Sequence, residues 1–316
     1  MPFTVTTWNV ENFSSGSQNY ETKRDHLAAV LQRLSPDVAA VQEVLDDEAA
    51  LELAAALGYR AIVAGGDQRG NRVAFLTRRP IIGSPEQITS WRPPHVLVFD
   101  FDADGNVELV SALPRPPLRI TVAHGGTKVD LINVHLKSKL LTYPGGQFST
   151  QDEELRAQVA YFALQRRAAE VTTIRCHVSD LLAGGRNVIV LGTMNDGPEA
   201  ATTTLLCGPL GSQSRWPEAA IAQNDQSQRS NGGDAQRLFN VTRLVPAAAR
   251  WSRRYQGGLE LLDQILASEG LVPRVGGLRR IPAVSILNDT APNIGDYPRN
   301  QELEPDHAAV TAKFQM

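Results

Sequence analysis

Asn9 with Glu11, Glu43, His135, Asn195 with Asp196, and Asp263 each stand where an apolar run gives way to polar residues, and Asp306-His307 lead into a last such run. Any one of them has an ordinary explanation as a surface group or a satisfied core residue. Together these residue types resemble those of a metal-assisted hydrolase. A hard cation such as Mg²⁺ takes one or two carboxylates with amide oxygens and water, which Glu43, Asn9 and Asp306 can supply. Two histidines can donate protons or hydrogen bonds to a phosphate under attack, and an acid such as Asp263 can hold one imidazole in a fixed tautomer. His26, His95, His124 and His177 have no comparable neighbours in sequence.

The elements that must position these groups can be read from periodicity. Phe3 to Trp8 alternates as a strand ending in Asn9-Val10-Glu11-Asn12, and Val38 to Val44 is a second strand with Gln42 and Glu43 at its exit. Leu27, Val30, Leu31 and Leu34 recur at helical spacing before Ser35-Pro36 breaks the pattern, and an alanine-rich helix over 46–57 closes at Gly58. Strands are expected at 59–63, 72–77, 118–122 and 128–134, with short β patterns at 96–99 and 107–110 joined through Asp104-Gly105. One long helix over 152–182 precedes Val188-Ile189-Val190-Leu191, a run suited to a strand covered on both faces. It opens into Gly192-Thr193-Met194-Asn195-Asp196, and Gly197-Pro198-Glu199 looks like the start of another helix. Residues 211–234, rich in Gln, Ser, Asn and Gly, read as a long surface loop.

Composition sets the frame for this chemistry. The 316 residues are 42% hydrophobic, carry a net charge of -3, and show no repeat or linker that would divide them, so one domain over 1–316 is expected. That charge argues against binding nucleic acid by bulk electrostatics and leaves the work to local patches and bound cations. Cys176 and Cys207, far apart and in helical surroundings, suit buried reduced thiols better than a disulfide framework. The first residues enter a strand pattern without a basic, then apolar, leader, and no stretch reaches the length of a membrane span. The expected compartment is the cytoplasm, or the exterior if a leader has been removed, without stable membrane association.

The ordered motifs Thr7-Trp8-Asn9-Val10-Glu11-Asn12, Val41-Gln42-Glu43-Val44, Asn133-Val134-His135, Gly192-Thr193-Met194-Asn195-Asp196, Leu262-Asp263-Gln264-Ile265-Leu266 and Asp306-His307 resemble the endonuclease/exonuclease/phosphatase superfamily. That superfamily includes pancreatic-type deoxyribonuclease, abasic-site endonucleases, bacterial sphingomyelinases and inositol-polyphosphate phosphatases. The resemblance implies a four-layer α/β/β/α sandwich, two packed mixed sheets flanked by helices. It implies metal binding (Mg²⁺ or Mn²⁺) at Asn9 and Glu43 with Asp306 as a second ligand, phosphate contact at His135, orientation of phosphate or water by Asn195, and a carboxylate–imidazole pair of Asp263 and His307. Arg72 and Lys137 are candidate substrate contacts, and nucleic acid is the expected partner. The leading expectation is a nuclease; a phosphatase or phospholipid phosphodiesterase, and a relative that binds without cutting, are the alternatives. One departure stands out: the family's loop carries aspartate where this chain has Thr193, and a hydroxyl is no general base near neutral pH. The chain is then either an inactivated variant, natural or engineered, or one in which a neighbour such as Asp196 takes over. Gln264 and Pro305 replace histidine and serine of many relatives.

Overall fold

The computed structural model describes residues 2–101, 105–208, 234–255, 257–272, 274–275, 278–291 and 303–316. The twelve strands of its two large sheets are β1 (Phe3–Phe13), β2 (Val38–Val44), β3 (Arg60–Val63), β4 (Arg72–Thr77), β5 (Glu86–Gln87), β6 (Leu118–His124), β7 (Thr127–His135), β8 (Asn187–Thr193), β9 (Leu238–Asn240), β10 (Asp263–Ser268), β11 (Ala283–Ile286) and β12 (Val310–Phe314). The helices are α1 (Tyr20–Leu34), α2 (Asp47–Leu57), α3 (Glu153–Ala183) and α4 (Ala201–Cys207). One six-stranded sheet runs β11-β12-β1-β2-β4-β3 and the other β9-β10-β8-β7-β6-β5, each mixing parallel and antiparallel pairs.

Alternation along the strands assigns every side chain to a layer. Phe3 and Val5 of β1, Val38 and Ala40 of β2, Leu131 of β7, and Ile189 and Leu191 of β8 meet in the core between the sheets. The intervening residues face outward: Trp8, Val10, Ala39 and Val41 pack beneath α1 and α2. Val188 and Val190 pack with Val171, Ile174 and Val178 of α3. The result is the expected four-layer α/β/β/α sandwich, with β8 buried on both faces as its aliphatic run requires. The two middle helices of this scheme are capped in sequence: Asp46 accepts from Ala49 N at 2.8 Å to start α2, Gly58 closes it with a φ of 68°, and Asp152 accepts from Leu155 N at 3.0 Å to start α3.

Several boundaries differ from expectation. β1 continues past Trp8 to Phe13 because its far end keeps a partner, Phe13 pairing with Val44. Gly197-Pro198-Glu199 forms a turn, and α4 begins only at Ala201, where the chain can bury Thr202, Thr203 and Leu206. The stretch read as 96–99 contributes only Phe99 to a ribbon, Phe99–Phe101 with Val107–Leu109; Asp104 of its turn, like residues 211–233 of the long loop, lies outside the described residues. Cys176 and Cys207 are free thiols, as expected, and only partly buried.

The two sheets are also bolted together by amides. Gln42 of β2, fully buried, donates to Asn133 Oδ1 of β7 at 2.7 Å, and Asn133 Nδ2 donates back to the carbonyls of Val41 (3.1 Å) and Ala74 (2.8 Å). Just above this bolt β8 passes so close to β7 that a Cβ on Gly192 would meet Val134 O at 2.0 Å, at a φ of 144°. Gly192→Ala is therefore expected to cost about 3 kcal/mol or more, since backbone has to give way rather than a side chain. Urea unfolding of the two forms checks this, and a loss below about 1 kcal/mol would show that β8 has slack.

Candidate active site

The register of the second sheet places three site residues abreast. Thr193 ends β8 opposite Asp263 of β10 on one side and His135 of β7 on the other. Directly opposed residues share a face, so all three point into the space between the sheets, at the edge where the apolar core stops. The Thr193 hydroxyl donates to Asp263 Oδ1 at 2.7 Å, and the other oxygen of that carboxylate meets His307 Nδ1 at 2.5 Å. Asp263 is wholly inaccessible to solvent. His307 is carried on the segment before β12 and fixed by its own carbonyl, which accepts from Trp8 Nε1 at 2.8 Å. Burial pulls its imidazolium down, but the charges of Asp263 and Asp306 and the hydrogen bond to Asp263 outweigh it and push the pKa up to about 9.

The facing sheet contributes Asn9 and Glu43. Strict alternation would put Glu43 on the helix side with Ala39 and Val41. A register shift between Gln42 and Val44 and a φ of 59° at Glu43 turn it into the site instead. Its Oε1 accepts from Asn9 Nδ2 at 2.9 Å and its Oε2 from Asn12 N at 3.3 Å, while Asn9 Oδ1 takes Glu11 N at 3.0 Å. Glu11 Oε2 in turn accepts from Asp306 N at 3.0 Å, which ties β1 to the segment bearing His307.

His135 differs from His307 in charge. Burial first, then the charges of Arg115 and His307, hold it well below the ordinary histidine range, so it is neutral and its 3.7 Å approach to Glu43 is not an ion pair. Arg115 Nη1 lies 3.0 Å from each of its ring nitrogens and donates to the unprotonated one. Arg115 Nη2 also donates to Leu136 O at 3.0 Å, and that carbonyl accepts from Asn195 Nδ2 at 2.7 Å. Asn195 reaches it through a φ of 54°, a left-handed conformation that asparagine tolerates.

The expected residues thus gather at one edge of the sandwich, with three amendments. Asp196 cannot stand in for the missing acid: its carboxylate takes Arg167 Nε at 2.8 Å and the Thr202 hydroxyl at 2.6 Å. Against the upward pull of burial, these bonds keep its pKa low. Arg72 has its guanidinium paired with Asp47 at 2.5 Å at the start of α2. The Asp306 carboxylate faces Arg253 at 3.3 Å. Lys137, by contrast, lines a cleft of about 670 Å³ that opens beside Glu43, His135 and Arg115. Sequence reasoning missed Arg115 altogether; its only signal is a lone cation within Pro114-Arg115-Pro116-Pro117, a stiff segment feeding a buried strand. Gln264, where many relatives have histidine, is structural: it donates to Asp196 O at 2.6 Å and accepts from Asn240 at 2.5 Å.

Asn9 and Glu43 are the donors on offer to a metal. Among the described residues no three His, Cys, Asp and Glu side chains converge as an ion-chelating group. Mg²⁺ keeps most of its water and needs one carboxylate with lone pairs to spare, which Glu43 would provide.

Two packed mixed sheets lie between helices, and two unlike histidines and a buried acid gather at one edge. The model of the endonuclease/exonuclease/phosphatase family matches residues 6–285, and the chain belongs to that family. Among solved structures it is similar to truncated Caenorhabditis elegans TDP2, with 15% identity, a TM-score of 0.59, and coverage of 100% of this chain and 98% of that one. It is also similar to D. rerio TDP2 complexed with single strand DNA product (15%, 0.56, 100% and 99%) and to the human Nocturnin catalytic domain with bound sulfate anion (14%, 0.55, 99% and 94%). At these identities the likeness is one of fold. No curated protein matches the sequence. Among the described residues, no helix is long and apolar enough to cross a membrane.

The pairing of His307 has a pH signature. Because its folded pKa is raised above the ordinary value near 6.5, the stability it contributes is complete below about pH 6.5 and is lost as pH rises through about 9. Asp263→Asn should remove that dependence and lower the titration of His307. Nitrogen-15 NMR of the imidazole in both proteins checks this; a His307 that titrates near 6.5 in the unaltered protein would dissolve the pair.

Proposed function

We propose that the chain is a divalent-metal-dependent phosphodiesterase acting on nucleic acid. The observation that carries this reading is the juxtaposition of a buried Asp263–His307 pair with neutral His135, Arg115 and the Asn9–Glu43 pair at one edge of the fold. Family membership supports hydrolysis of phosphoesters, and the D. rerio neighbour, which is complexed with single strand DNA product, supports nucleic acid as substrate.

Asn9 and Glu43 would hold the cation, Mg²⁺ or Mn²⁺. When bound it supplies charge stabilisation on a phosphoryl oxygen and a water of lowered pKa. The protein's own groups divide the rest. Asp263 fixes Nδ1 of His307, so that the imidazolium presents Nε2–H as a donor to a phosphate oxygen. Arg115 adds a second, permanently charged donor beside His135. Asn195, pinned through Leu136 O, orients phosphate or water. Thr193 has already given its one proton to Asp263, and its oxygen can orient a water but not deprotonate it. That lock is what favours a second reading, a relative that grips phosphate and cuts slowly or not at all.

Activity decides between them. Thr193→Asp sets a carboxylate opposite Asp263 in the ladder, where like charge raises one pKa of the pair toward neutral, the range a general base needs. Cleavage of plasmid DNA, of a structured RNA, or of both is expected to rise at least roughly 10²-fold over the unaltered chain at saturating Mg²⁺ or Mn²⁺, with a generic phosphomonoester unaffected. No gain on either nucleic acid would favour the binding relative, and a gain on the monoester alone a phosphatase. For the metal seat, Glu43→Gln should weaken Mn²⁺ binding more than Thr193→Ala does, as read by calorimetric titration. Equal affinities in the two variants would move the ion elsewhere.

A further inference from the structure

The cleft beside Glu43, His135 and Arg115 does not end there: Lys137 and, from α3, Arg166 line it as well. Its volume, about 670 Å³, is that of a small-ligand pocket rather than of a groove along which a duplex lies. The cations in it are only partly committed: Lys137 Nζ donates to Leu140 O at 3.2 Å. Arg115 is 8% exposed, and among the described residues its buried Nε has no hydrogen-bond partner, the nearest carboxylate being Asp67 at 3.8 Å. Arg166 is 12% exposed and bonds Glu170 through Nε at 3.2 Å, with Asp100 at 3.6 Å from Nη1. Lys137 feels the crowding: burial, then Arg166 and Arg115, outweigh Asp100 and Glu170 and bring its ammonium down to about 8. Four acids share the lining: Glu43 belongs to the metal seat, Asp67 spends Oδ1 on the amides of Arg69 (2.9 Å) and Asn71 (3.0 Å), Asp100 stands 3.6 Å from Arg166, and Glu108 lies across the ribbon from Asp100. Phe101, Tyr143 and Val159 supply apolar lining in the same cleft.

We propose that this cleft holds one nucleoside with a phosphate at either end, the reacting phosphate at Glu43, His135 and Arg115 and a second, uncleaved phosphate at Lys137 and Arg166. The first seat rests on the phosphodiesterase reading; the second adds a substrate class to it. Chains that present a phosphate one nucleoside away from the reacting one fit, and the size of the cavity selects a single-stranded end over the middle of a duplex. A phosphate in the second seat relieves the repulsion among the three cations, and two charge-assisted bonds there supply discrimination worth a tenfold or greater difference in affinity.

Calorimetric titration of the whole chain without divalent cation, using thymidine 3′,5′-bisphosphate and thymidine 5′-monophosphate, tests the second seat with no turnover involved. The unaltered protein should bind the bisphosphate at least about tenfold more tightly, and Arg166→Gln should bring the two ligands within about twofold. Equal affinities in the unaltered protein overturn the proposal, whatever happens to the variant's folding. A bisphosphate preference that survives in a folded Arg166→Gln also overturns it. Hydrolysis of TpT and pTpT with Mg²⁺ then separates the two claims. Retained preference with neither dinucleotide cut refutes the phosphodiesterase and leaves the seat. Equal cleavage of both without the preference refutes the seat and leaves the enzyme.

Discussion

A carboxylate with no solvent access is costly unless its charge is matched and its lone pairs are filled, and Asp263 meets both demands through His307 and Thr193. Much of the site follows from that one requirement. His307 must stay protonated to balance the charge, which makes it a donor. His135 is driven neutral by burial first and then by Arg115 and that imidazolium, so one fold keeps two histidines in opposite states. The threonine at 193 is also explained locally. It is one of the few side chains that can fill an oxygen of Asp263 without adding charge, and what it satisfies in the ground state it withholds from acid–base work.

The second constraint is backbone geometry. Glu11, Asn12, Glu43 and Asn195 all adopt positive φ, and all lie at or beside the candidate site. Such conformations cost about 1–3 kcal/mol each and persist only where surrounding structure over-determines them. Here the surrounding structure is the pair of sheets, tied through Gln42 and Asn133 and closed tightly at Gly192. The rigid interior pays for the bent rim.

Much of this was legible in the sequence, and what was not has identifiable causes. The strands bearing Asn9, Glu43, His135 and Thr193 announced themselves by aliphatic runs breaking into polar residues, and the motifs in order pointed to the four-layer sandwich. Which face each residue would take was less accessible. Glu43 violates alternation, because a bulge is set by pairing with β4 and leaves no local mark. Arg72, a candidate substrate contact in the sequence, is claimed by Asp47 on the next helix. Asp196 could pass for a spare base until α3 supplied Arg167 from 29 residues away. Arg115, between prolines, became significant only when the strand it leads into was laid beside β7.

The joining of β1 to the last strand has a consequence for how the protein is made. β12 pairs with β1 from Phe3–Phe314 to Thr7–Val310, Trp8 grips the carbonyl of His307, and Glu11 accepts from the amide of Asp306. β1 sits between β12 and β2, so an N-terminal fragment can assemble β1, β2, α1 and α2 early, but one side of β1 stays open until residues near 310 have emerged. Contacts spanning some 300 residues are among the slowest a chain can form. During synthesis, then, Asn9 and Glu43 can be in place while half of the candidate site is missing. A nascent or truncated chain is an open-edged sheet prone to pairing with neighbours and without His307, and the imidazole arrives as the closing stitch.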